Sequence, residues 1–450
     1  MESAERDKKM KRALILGAGR VARPCVAYLA KLGNTKVFVT DINEDNLQRV
    51  TSGIPGVNIL VRDVGEGTGE LIDEIYPDVV VNLLPPSFTN PVVAECLRRR
   101  VPLVFPTYLD AKTRSMAKDV EAAGIPVVAE LGLDPGIDHM SAARTIHQIH
   151  SAGGEIESFR SLCGAIPSPE ANTNPWGYKL SWSPSSLIGA SKRDARVMID
   201  GTVYEWPGGK TYEHVFLEEI KGLGWFEVYA NADSLPYIEA YNIPETKSIY
   251  RGTIRYPGWC ETICKMNALG LFEETTLDLT GRTFRSFMAL LAGSPDESNV
   301  ESLLCAKLRL EPYSTVMLRF RWLGLLDDRP LPFATGSPRD IVSYLFGEKL
   351  VYSEGERDMD ILQDEYIVRF PSTGLRKRYR TTLIDYGVPG GDSSIARTTG
   401  LPLAIAARFI LEGKIHTPGI HIPVLPEIYE PVLAELERMG IRLKESEEIL

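Results

Sequence analysis

Between residues 12 and 130, short apolar runs alternate with stretches whose apolar residues recur at helical spacing. Short apolar runs bounded by turn residues are typical of buried strands, and a spacing of three or four residues is typical of amphipathic helices. The predicted strands are residues 13–16, 37–39, 57–61, 79–84, 103–105 and 127–129. The predicted helices are residues 21–32, 44–51, 70–76, 91–100 and 111–123. Repeated strand–helix–strand units favour a doubly wound parallel sheet with helices on both faces.

From about residue 155 the pattern changes to strands separated by turns. Asp200-Gly201 between two alternating segments predicts a β-hairpin. The predicted strands of this part are residues 155–164, 195–199, 202–205, 225–229, 248–256, 365–370 and 377–386. Between residues 257 and 347 the pattern is helical, with predicted helices at 261–269, 285–291, 299–308, 314–325 and 338–346. We therefore predict an α+β domain with a largely antiparallel sheet and an all-helical insertion.

The tail returns to helical patterns, at residues 395–412 and 427–439. The predicted fold class is α/β: a Rossmann doubly wound parallel sheet plus an α+β domain that carries the insertion. The predicted segments are residues 1–135 for dinucleotide binding, 136–256 and 351–390 for the α+β substrate-binding domain, 257–350 for the insertion, and 391–450 for helices that complete the first domain.

Composition and charge narrow the class of protein. Of 450 residues, 44% are hydrophobic and 24% are charged, and the net charge of −10 argues against nucleic-acid binding. The chain lacks an apolar run long enough to span a membrane, and residues 1–12 are too polar for a secretory signal. Six cysteines without regular spacing fit a reducing compartment and complete no metal site. The sequence thus predicts a cytoplasmic protein without a metal.

The first predicted strand is followed by a Gly-x-Gly-x-x-Ala turn that opens a helix. Gly17 allows the tight turn, Gly19 lets the backbone approach a pyrophosphate, and Ala22 keeps the helix close to the sheet. Such a match alone is a weak signal, but Asp41 closes the second strand, where a carboxylate accepts hydrogen bonds from an adenosine ribose. Its charge would repel a 2′-phosphate, so we predict NAD rather than NADP.

Further positions around this turn are predicted to contact the cofactor. Asp63 follows the third strand and is placed to reach the adenine edge, and Leu84-Pro85 follows the fourth strand on the nicotinamide side. The turn itself adds the list of Gly17, Ala18, Gly19, Arg20 and Val21.

The stretch 130–139, Glu-Leu-Gly-Leu-Asp-Pro-Gly-Ile-Asp-His, follows the last strand of this part. Pro135 suits the first turn of a helix, so Asp134 is either that helix's cap alone or a group that also faces a ligand. Both alternatives stay open on these residues. His139, His147 and His150 come next, and we expect a solvated helix face there rather than a metal site.

Polar residues that follow strands are the candidates for chemistry, because ligands of such sheets bind at the carboxyl ends of strands. Thr107 and Tyr108 follow the fifth strand, and Asp134 and Asp138 follow the sixth. Cys163 ends the first strand of the second domain. We expect these residues to face the cleft between domains, with Asp134, Tyr108 and Cys163 as candidates for proton transfer.

Arg251 and Arg255 lie four residues apart in a predicted strand, so both side chains point to one face. Two guanidinium groups on one face suit a substrate with carboxylates, which they bind in bidentate fashion. The alternative is a pair of surface ion pairs, and the residues alone do not choose between the two.

Several long strings resemble the glutamate-forming saccharopine dehydrogenase family, also called saccharopine reductases. The matching strings are Leu-Gly-Leu-Asp-Pro-Gly-Ile-Asp-His (131–139), Cys-Gly-Ala-Ile-Pro-Ser-Pro-Glu (163–170), Asn-Pro-Trp-Gly-Tyr-Lys-Leu-Ser-Trp-Ser (174–183), Arg-Gly-Thr-Ile-Arg-Tyr (251–256) and Gly-Glu-Arg-Asp-Met (355–359). The resemblance covers nearly the whole chain. It implies a dimer of three-domain subunits that interconverts saccharopine with L-glutamate and 2-aminoadipate 6-semialdehyde, by hydride transfer and imine hydrolysis.

The resemblance also assigns residues. It implies substrate contacts for Thr107, Tyr108, Asp134, Thr253 and Arg255, and cofactor contacts for Gly132, Leu133 and Asp134. A substrate with three carboxylates also gives Arg251 and Arg255 a reason to share a face, so Arg251 is a further candidate for substrate binding. Asp41-Ile42 is similar to the NAD-using animal and plant members rather than to the NADP-using fungal ones.

One departure bears on the substrate. The family has Asn-Arg-Asp-Ser where this chain has Asn231-Ala232-Asp233-Ser234, and that arginine binds a carboxylate. Either another cation substitutes here, or the substrate lacks that carboxylate. The alternatives are therefore an imine reductase for a carboxylated polyamine of the carboxynorspermidine type, and a catalytically silent nucleotide-binding protein.

Overall fold

The computed structural model of the chain describes residues 10–294 and 297–450. Residues 1–9, which carry most of the prediction about a secretory signal, lie outside this part. The chain forms two compact units. The first unit contains residues up to Glu155 together with Val368–Leu450, and the second contains Ile156–Ile367.

Strands and helices alternate through the first part of the first unit, as the pattern predicted. The strands are β1 (Lys11–Leu16), β2 (Thr35–Asp41), β3 (Val57–Val61), β4 (Val79–Asn82), β5 (Leu103–Val104) and β6 (Pro126–Val128). The helices are α1 (Ala22–Ala30), α2 (Glu44–Thr51), α3 (Val64–Ile75), α4 (Thr89–Arg99), α5 (Ala111–Ser115), α6 (Ala117–Ala123) and α7 (Ile137–Ser151). Helix α3 begins six residues before its predicted start, because the Asp63 carboxylate caps it and accepts the Gly65 N–H at 2.9 Å.

The second unit contains a mixed sheet and most of the remaining helices. Its strands are β7 (Glu155–Pro167), β8 (Ala195–Ile199), β9 (Thr202–Trp206), β10 (Phe216–Ile220), β11 (Gly224–Ala230), β12 (Ser248–Arg255), β13 (Leu277–Asp278), β14 (Thr335–Gly336) and β15 (Asp358–Phe370), the last of which ends in the first unit. Its helices are α8 (Pro184–Ala190), α9 (Pro236–Ala240), α10 (Trp259–Leu269), α11 (Phe284–Ala292), α12 (Val300–Leu308), α13 (Thr315–Leu323) and α14 (Pro338–Lys349).

Pairing in this sheet follows the order β10-β11-β12-β7-β15, with β8 joined to β12 and β9. Strand β12 runs parallel to β7 and antiparallel to β11. The predicted hairpin is present: Asp200 and Gly201 join β8 to β9 with φ of 49° and 78°, as a two-residue turn requires. The predicted insertion consists of α10–α14 together with the short pair β13–β14.

The tail adds β16 (Leu375–Tyr386), α15 (Ser394–Leu411), β17 (Gly419–His421), α16 (Pro426–Arg438) and β18 (Lys444–Ile449). Strand β17 pairs with β6 and extends the parallel sheet. Strand β18 was not predicted. It pairs antiparallel with β16, but all six of its residues are exposed and five of them are polar, so no apolar alternation marks it.

The seven parallel strands lie in the order β17-β6-β5-β4-β1-β2-β3. Side chains of the central strands, such as Leu14, Leu16 and Val80, are fully buried. The order reverses between β1 and β4, and ligands of such sheets bind at that switch point, outside the carboxyl ends of the strands. This part of the chain is a Rossmann-like α/β fold, as predicted.

Helix α15 packs against α1 at the switch point. A Cβ atom on Gly400 would lie 2.6 Å from the Val21 carbonyl oxygen and 3.3 Å from Cys25 N. Helix α15 is long and apolar enough by composition to cross a membrane, but 72% of that stretch is buried inside the protein, as in a core helix. Because Gly400 has no side chain, α15 can lie directly against the first turn of α1.

We expect Gly400→Ala to lower the free energy of unfolding by about 1–3 kcal/mol, because the added methyl group overpacks a closed contact. Gly347→Ala is the matched control: Gly347 lies in α14 with nothing within 4 Å of its Cβ position. The control should gain up to about 1 kcal/mol from helix propensity. Urea denaturation of both variants tests this. A Gly400→Ala variant as stable as the parent chain contradicts the packing.

Candidate active site

The chain turns sharply at Gly17, directly after β1. Gly17 has a φ of 96°, and a Cβ atom there would lie 3.0 Å from the carbonyl carbon of Leu83 and 3.2 Å from Leu84 N. Glycine is therefore required both by the backbone conformation and by the close approach. The Leu84 N–H donates to Asn82 Oδ1 at 3.1 Å. The predicted turns after β1 and β4 thus meet at the switch point.

Gly19 has a different role in this turn. No atom of the described residues lies within 4 Å of its Cβ position, and α1 begins three residues later at Ala22. The open space next to this helix start fits a pyrophosphate, since the first N–H groups and the helix dipole favour negative charge there. Arg20 is exposed and Val21 half-buried beside it. The arrangement therefore fits the predicted dinucleotide.

A carboxylate and a guanidinium both hold the Ala18 peptide. Asp41 accepts the Ala18 N–H at 2.7 Å and the Asn43 N–H at 2.8 Å. Arg49 donates to the Ala18 carbonyl oxygen at 3.1 Å. Ile42 is 69% exposed and offers no charge. Arg49 was not predicted as a site residue, because only the folded turn brings helix α2 to Ala18.

Two further predicted cofactor positions stay predictions. Asp63 caps α3, which accounts for its carboxylate without an adenine contact. Pro85 is exposed where the chain leaves β4.

The prediction that Asp134 caps the next helix is wrong. Helix α7 begins at Ile137 with Gly136 as its N-cap, and no side chain caps it. The Ile137 and Asp138 N–H groups donate to the carbonyls of Gly132 and Leu133, at 2.8 Å and 3.1 Å. The Asp138 carboxylate accepts the N–H groups of Gly136 and, at 2.8 Å, of His139. Asp138 is 1% exposed and belongs to the helix start. The prediction that Asp138 faces a cleft is therefore not supported by its burial.

Asp134 instead pairs with Tyr108. The Tyr108 hydroxyl donates to Asp134 Oδ1 at 2.9 Å, and both residues are only partly buried. Thr107 lies beside them, its hydroxyl 3.1 Å from that of Thr89. A carboxylate hydrogen-bonded to a phenol can take up or release a proton, so the two leading sequence candidates for proton transfer are brought together.

Gly132 and Leu133 shape the backbone below this pair. The Gly132 N–H donates to the Pro135 carbonyl at 2.7 Å, and the Gly132 carbonyl accepts from Ile137 N at 2.8 Å. A side chain on Gly136 would overlap the Gly132 backbone. The loop from 132 to 136 is therefore closed on itself and holds Asp134 at its tip.

The expected solvated histidine face is wrong for His139. This side chain is fully buried, and its Nε2 lies 2.8 Å from the carboxylate of Glu130, which is 1% exposed. His147 is exposed, and its Nδ1 lies 2.9 Å from the Tyr429 hydroxyl. Within 10–294 and 297–450, no group of three His, Cys, Asp or Glu side chains could hold a metal ion. Glu130 was not predicted, although an acidic residue directly after an apolar strand was the available signal.

In the second unit, β12 carries Arg251 and Arg255 on one face, as predicted, with Thr253 between them on the same face. Thr253 lies opposite Cys163 of β7 and opposite Tyr229 of β11, so these side chains share that face. Arg251 is 2% exposed and lies over the Tyr237 ring, with 4.5 Å from its guanidinium carbon to the ring centroid. Because both arginines are buried, the alternative of surface ion pairs is wrong.

The surroundings of Arg255 bear most directly on what this face can bind. It is 5% exposed, and its guanidinium lies over the rings of Tyr178, at 5.1 Å, and Trp259, at 5.8 Å. Burial is the largest influence and lowers the pKa of Arg255, but the hydroxyls of Tyr229, Tyr178 and Tyr212 raise it, and the net pKa lies above its usual value. The group therefore stays charged.

The partners of Arg255 leave its charge uncompensated. Its Nη1 donates to the Ile254 carbonyl at 2.7 Å, Nε has no hydrogen-bond partner, and no carboxylate of the described chain pairs with it. Glu227, opposite Arg255 on β11, instead accepts the N–H groups of Gly258 and Cys260 at the start of α10. A buried cation with spare donors favours an anionic ligand.

The departure at Ala232 lies next to another cation. Ala232 has a φ of 55°, and its carbonyl accepts the Arg196 N–H at 3.2 Å. The Arg196 guanidinium pairs with Asp233 at 2.5 Å and is less than half exposed. Arg196 is therefore a cation next to the position of the missing family arginine, although it is paired with Asp233.

Comparisons with known proteins cover almost all of this chain. A model described as the saccharopine dehydrogenase NADP binding domain matches residues 13–128, and one described as the saccharopine dehydrogenase C-terminal domain matches residues 132–441. The chain is 33% identical to saccharopine dehydrogenase [NADP(+), L-glutamate-forming] of Saccharomyces cerevisiae, over 97% of this chain and 99% of that protein. It is also 33% identical to mitochondrial alpha-aminoadipic semialdehyde synthase of Bos taurus, of whose length it spans 47%.

A solved structure also matches this chain over nearly its whole length. Apo saccharopine dehydrogenase (L-Glu forming) from Saccharomyces cerevisiae superposes with a TM-score of 0.86 and 31% identity, over 97% of this chain and 100% of that one. The NADP in the names of the matched model and the yeast protein points against the NAD preference predicted from Asp41.

We expect Gly19→Leu to separate cofactor binding from stability. Its side chain enters open space, so the free energy of unfolding should change by less than about 0.5 kcal/mol. It fills the space assigned to the pyrophosphate, so the Kd for a reduced dinucleotide should rise by about two orders of magnitude or more. Gly17→Ala is the comparison and should impair both properties. Fluorescence titration and urea denaturation measure them, and unchanged binding by Gly19→Leu would contradict the assignment.

Proposed function

This chain belongs to the saccharopine dehydrogenase family, and we propose that it catalyses the reversible reaction of saccharopine, NADP+ and water to L-glutamate, 2-aminoadipate 6-semialdehyde, NADPH and a proton. A hydride leaves the carbon next to the secondary amine, the amine nitrogen loses a proton, and water then cleaves the resulting imine. The names of the relatives support this reaction. A bound nicotinamide supplies the hydride acceptor.

The observation that carries the proposal is the buried, charged guanidinium of Arg255. Saccharopine has three carboxylates, and a guanidinium that lacks an acidic partner among the described residues is suited to one of them. The tyrosine and tryptophan rings around Arg255 exclude water, which strengthens such a contact. Arg251 and Thr253 lie on the same face of β12 and place further polar groups beside Arg255.

Proton transfer is assigned to the Tyr108–Asp134 pair. Asp134 accepts the amine proton or activates the water that attacks the imine, and the Tyr108 hydroxyl orients its carboxylate. Cys163 is the third candidate; it is 6% exposed and lies opposite Thr253. These roles stay proposals.

The proposed acceptor is NADP, on the names of the relatives, although Asp41 favours NAD. Both oxygens of Asp41 already accept backbone N–H groups, and Arg49 places a positive charge at the same turn. Arg49 could bind a 2′-phosphate there.

Initial rates of reduced nicotinamide formation from saccharopine test the function, with Arg255→Met as the probe. Losing a charge-assisted contact costs about 1.5–3 kcal/mol, so the KM for saccharopine should rise roughly 10- to 100-fold. The Kd of the cofactor should stay unchanged. Arg321→Met, which breaks a partly exposed pair with Glu301, is the control. A parent chain that binds the cofactor but does not oxidise saccharopine contradicts the proposal.

The same assay with Arg49→Ala tests the cofactor. If Arg49 binds the 2′-phosphate, its loss should raise the KM for NADP about tenfold and leave that for NAD nearly unchanged. Arg98→Ala, which alters an exposed arginine on α4, is the control. Faster turnover of the parent chain with NAD, and equal effects of Arg49→Ala on both cofactors, would restore the preference predicted from Asp41.

Ala232 favours one second candidate, an imine reductase for a carboxylated polyamine. Without the family arginine, this chain has one cation fewer for a carboxylate unless Arg196 substitutes. A side-by-side assay with carboxynorspermidine decides between them: a higher kcat/KM for the polyamine would replace saccharopine as the substrate.

A further inference from the structure

Glu130 and His139 form a buried carboxyl–imidazole pair that the proposed reaction does not use. Their side chains are 1% and 0% exposed, and Glu130 Oε2 lies 2.8 Å from His139 Nε2. A carboxylate withdrawn from water is costly unless it is hydrogen-bonded. The hydrogen bonds of the Glu130 carboxyl group offset this cost, and they tie together the segments described next.

Glu130 holds the loop that carries Tyr108 from both sides. The Glu130 N–H donates to the Thr107 carbonyl oxygen at 3.3 Å. The second carboxylate oxygen, Oε1, accepts the Leu109 N–H at 3.0 Å. Tyr108 lies between these two residues, so both of its chain neighbours are tied to Glu130.

The backbone conformation at Glu130 is unusual for a residue other than glycine. Its φ is 53°, in the left-handed region that residues other than glycine rarely adopt. The chain leaves β6 here and enters the loop that ends in α7. Glycine would relieve the backbone but would remove the carboxylate and its contacts.

His139 joins Glu130 to the loop that carries Asp134. Its backbone N–H donates to Asp138 Oδ1 at 2.8 Å, within the first turn of α7, and its imidazole reaches back to Glu130. One end of the His139–Glu130 connection therefore anchors the start of α7, directly after the Asp134 loop. The other end anchors the Tyr108 loop.

We propose that Glu130 and His139 are positioning residues for the Tyr108–Asp134 pair. They fix the two loops relative to each other and so set the 2.9 Å contact between the phenol and the carboxylate. The inference rests on the proposed function for the catalytic meaning of that contact. It rests on the described geometry for the positioning itself.

The test compares His139→Leu with His139→Gln, since the glutamine amide retains a donor for Glu130. In His139→Leu, kcat should fall about 10- to 100-fold, as expected for a small displacement of reacting groups. The Kd for NADPH should remain within about twofold of the parent value, since the glycine turn is untouched. His139→Gln should recover at least part of the lost kcat. Glu130→Gln, of equal size, gives a second variant if His139→Leu does not fold.

Hydrogen–deuterium exchange gives a readout that needs no substrate. The peptide containing Leu109 should exchange faster in His139→Leu and in Glu130→Gln, and His139→Gln should restore its protection. His147→Leu, on the same helix with an exposed side chain, should change neither exchange nor kcat.

Two outcomes overturn the inference: parental protection of Leu109 and parental kcat in folded His139→Leu, or a His139→Gln variant as impaired as His139→Leu in both readouts. A parent chain that does not turn over saccharopine refutes the proposed function instead. In that case the exchange of Leu109 still decides whether the pair positions the loop.

Discussion

The first unit depends on the close approach of two backbones at the end of its central strands. At Gly17 the chain passes so near Leu83 and Leu84 that a Cβ atom would lie 3.0 Å from the Leu83 carbonyl, an unusually tight contact. This contact joins the turns after β1 and β4, where the strand order reverses. Helix α1 begins at Ala22, so the turn at Gly17 contributes to placing the start of that helix and its N–H groups. Gly400 repeats the principle on the other side of α1.

The two units contribute opposite kinds of electrostatics. The first unit offers a helix start and backbone N–H groups for phosphate, together with the carboxylate of Asp134 held by Tyr108. The second unit offers buried arginines, of which Arg255 keeps its charge among aromatic rings. Because fold alone does not define a reaction, these groups are what connect each unit, taken by itself, to the proposed chemistry.

The sequence predicted most of the parallel sheet, because strands buried on both faces are continuous apolar runs. It missed β18, whose exposed and mostly polar residues show no apolar alternation; its ion pairs with β16, Lys377–Glu447 and Arg378–Glu448, join residues about seventy positions apart. Local patterns carry no information about a partner at that distance. The first half of β15 was missed for another reason: Asp358, Asp360 and Asp364 are buried acids inside the strand, so this stretch does not show an apolar pattern.

In the site, Gly17, Gly19 and Asp41 were predictable because one short motif contains their chemistry. Asp134 was placed on the right loop but given the wrong bond, since the carbonyls of Gly132 and Leu133 and the Asp138 carboxylate accept the N–H groups at the start of α7. The contact between His139 and Glu130 could not be predicted from the sequence. It depends on a left-handed backbone conformation at Glu130, and no sequence pattern indicates that conformation.

Product identification tests the account most directly. Saccharopine labelled with ¹³C in its glutamate-derived carbons is incubated with the protein and NADP or NAD, and the products are read by NMR. The account predicts labelled L-glutamate and unlabelled 2-aminoadipate 6-semialdehyde, with one reduced nicotinamide for each glutamate. Labelled 2-oxoglutarate with free lysine, or unreacted saccharopine beside a bound cofactor, would contradict it.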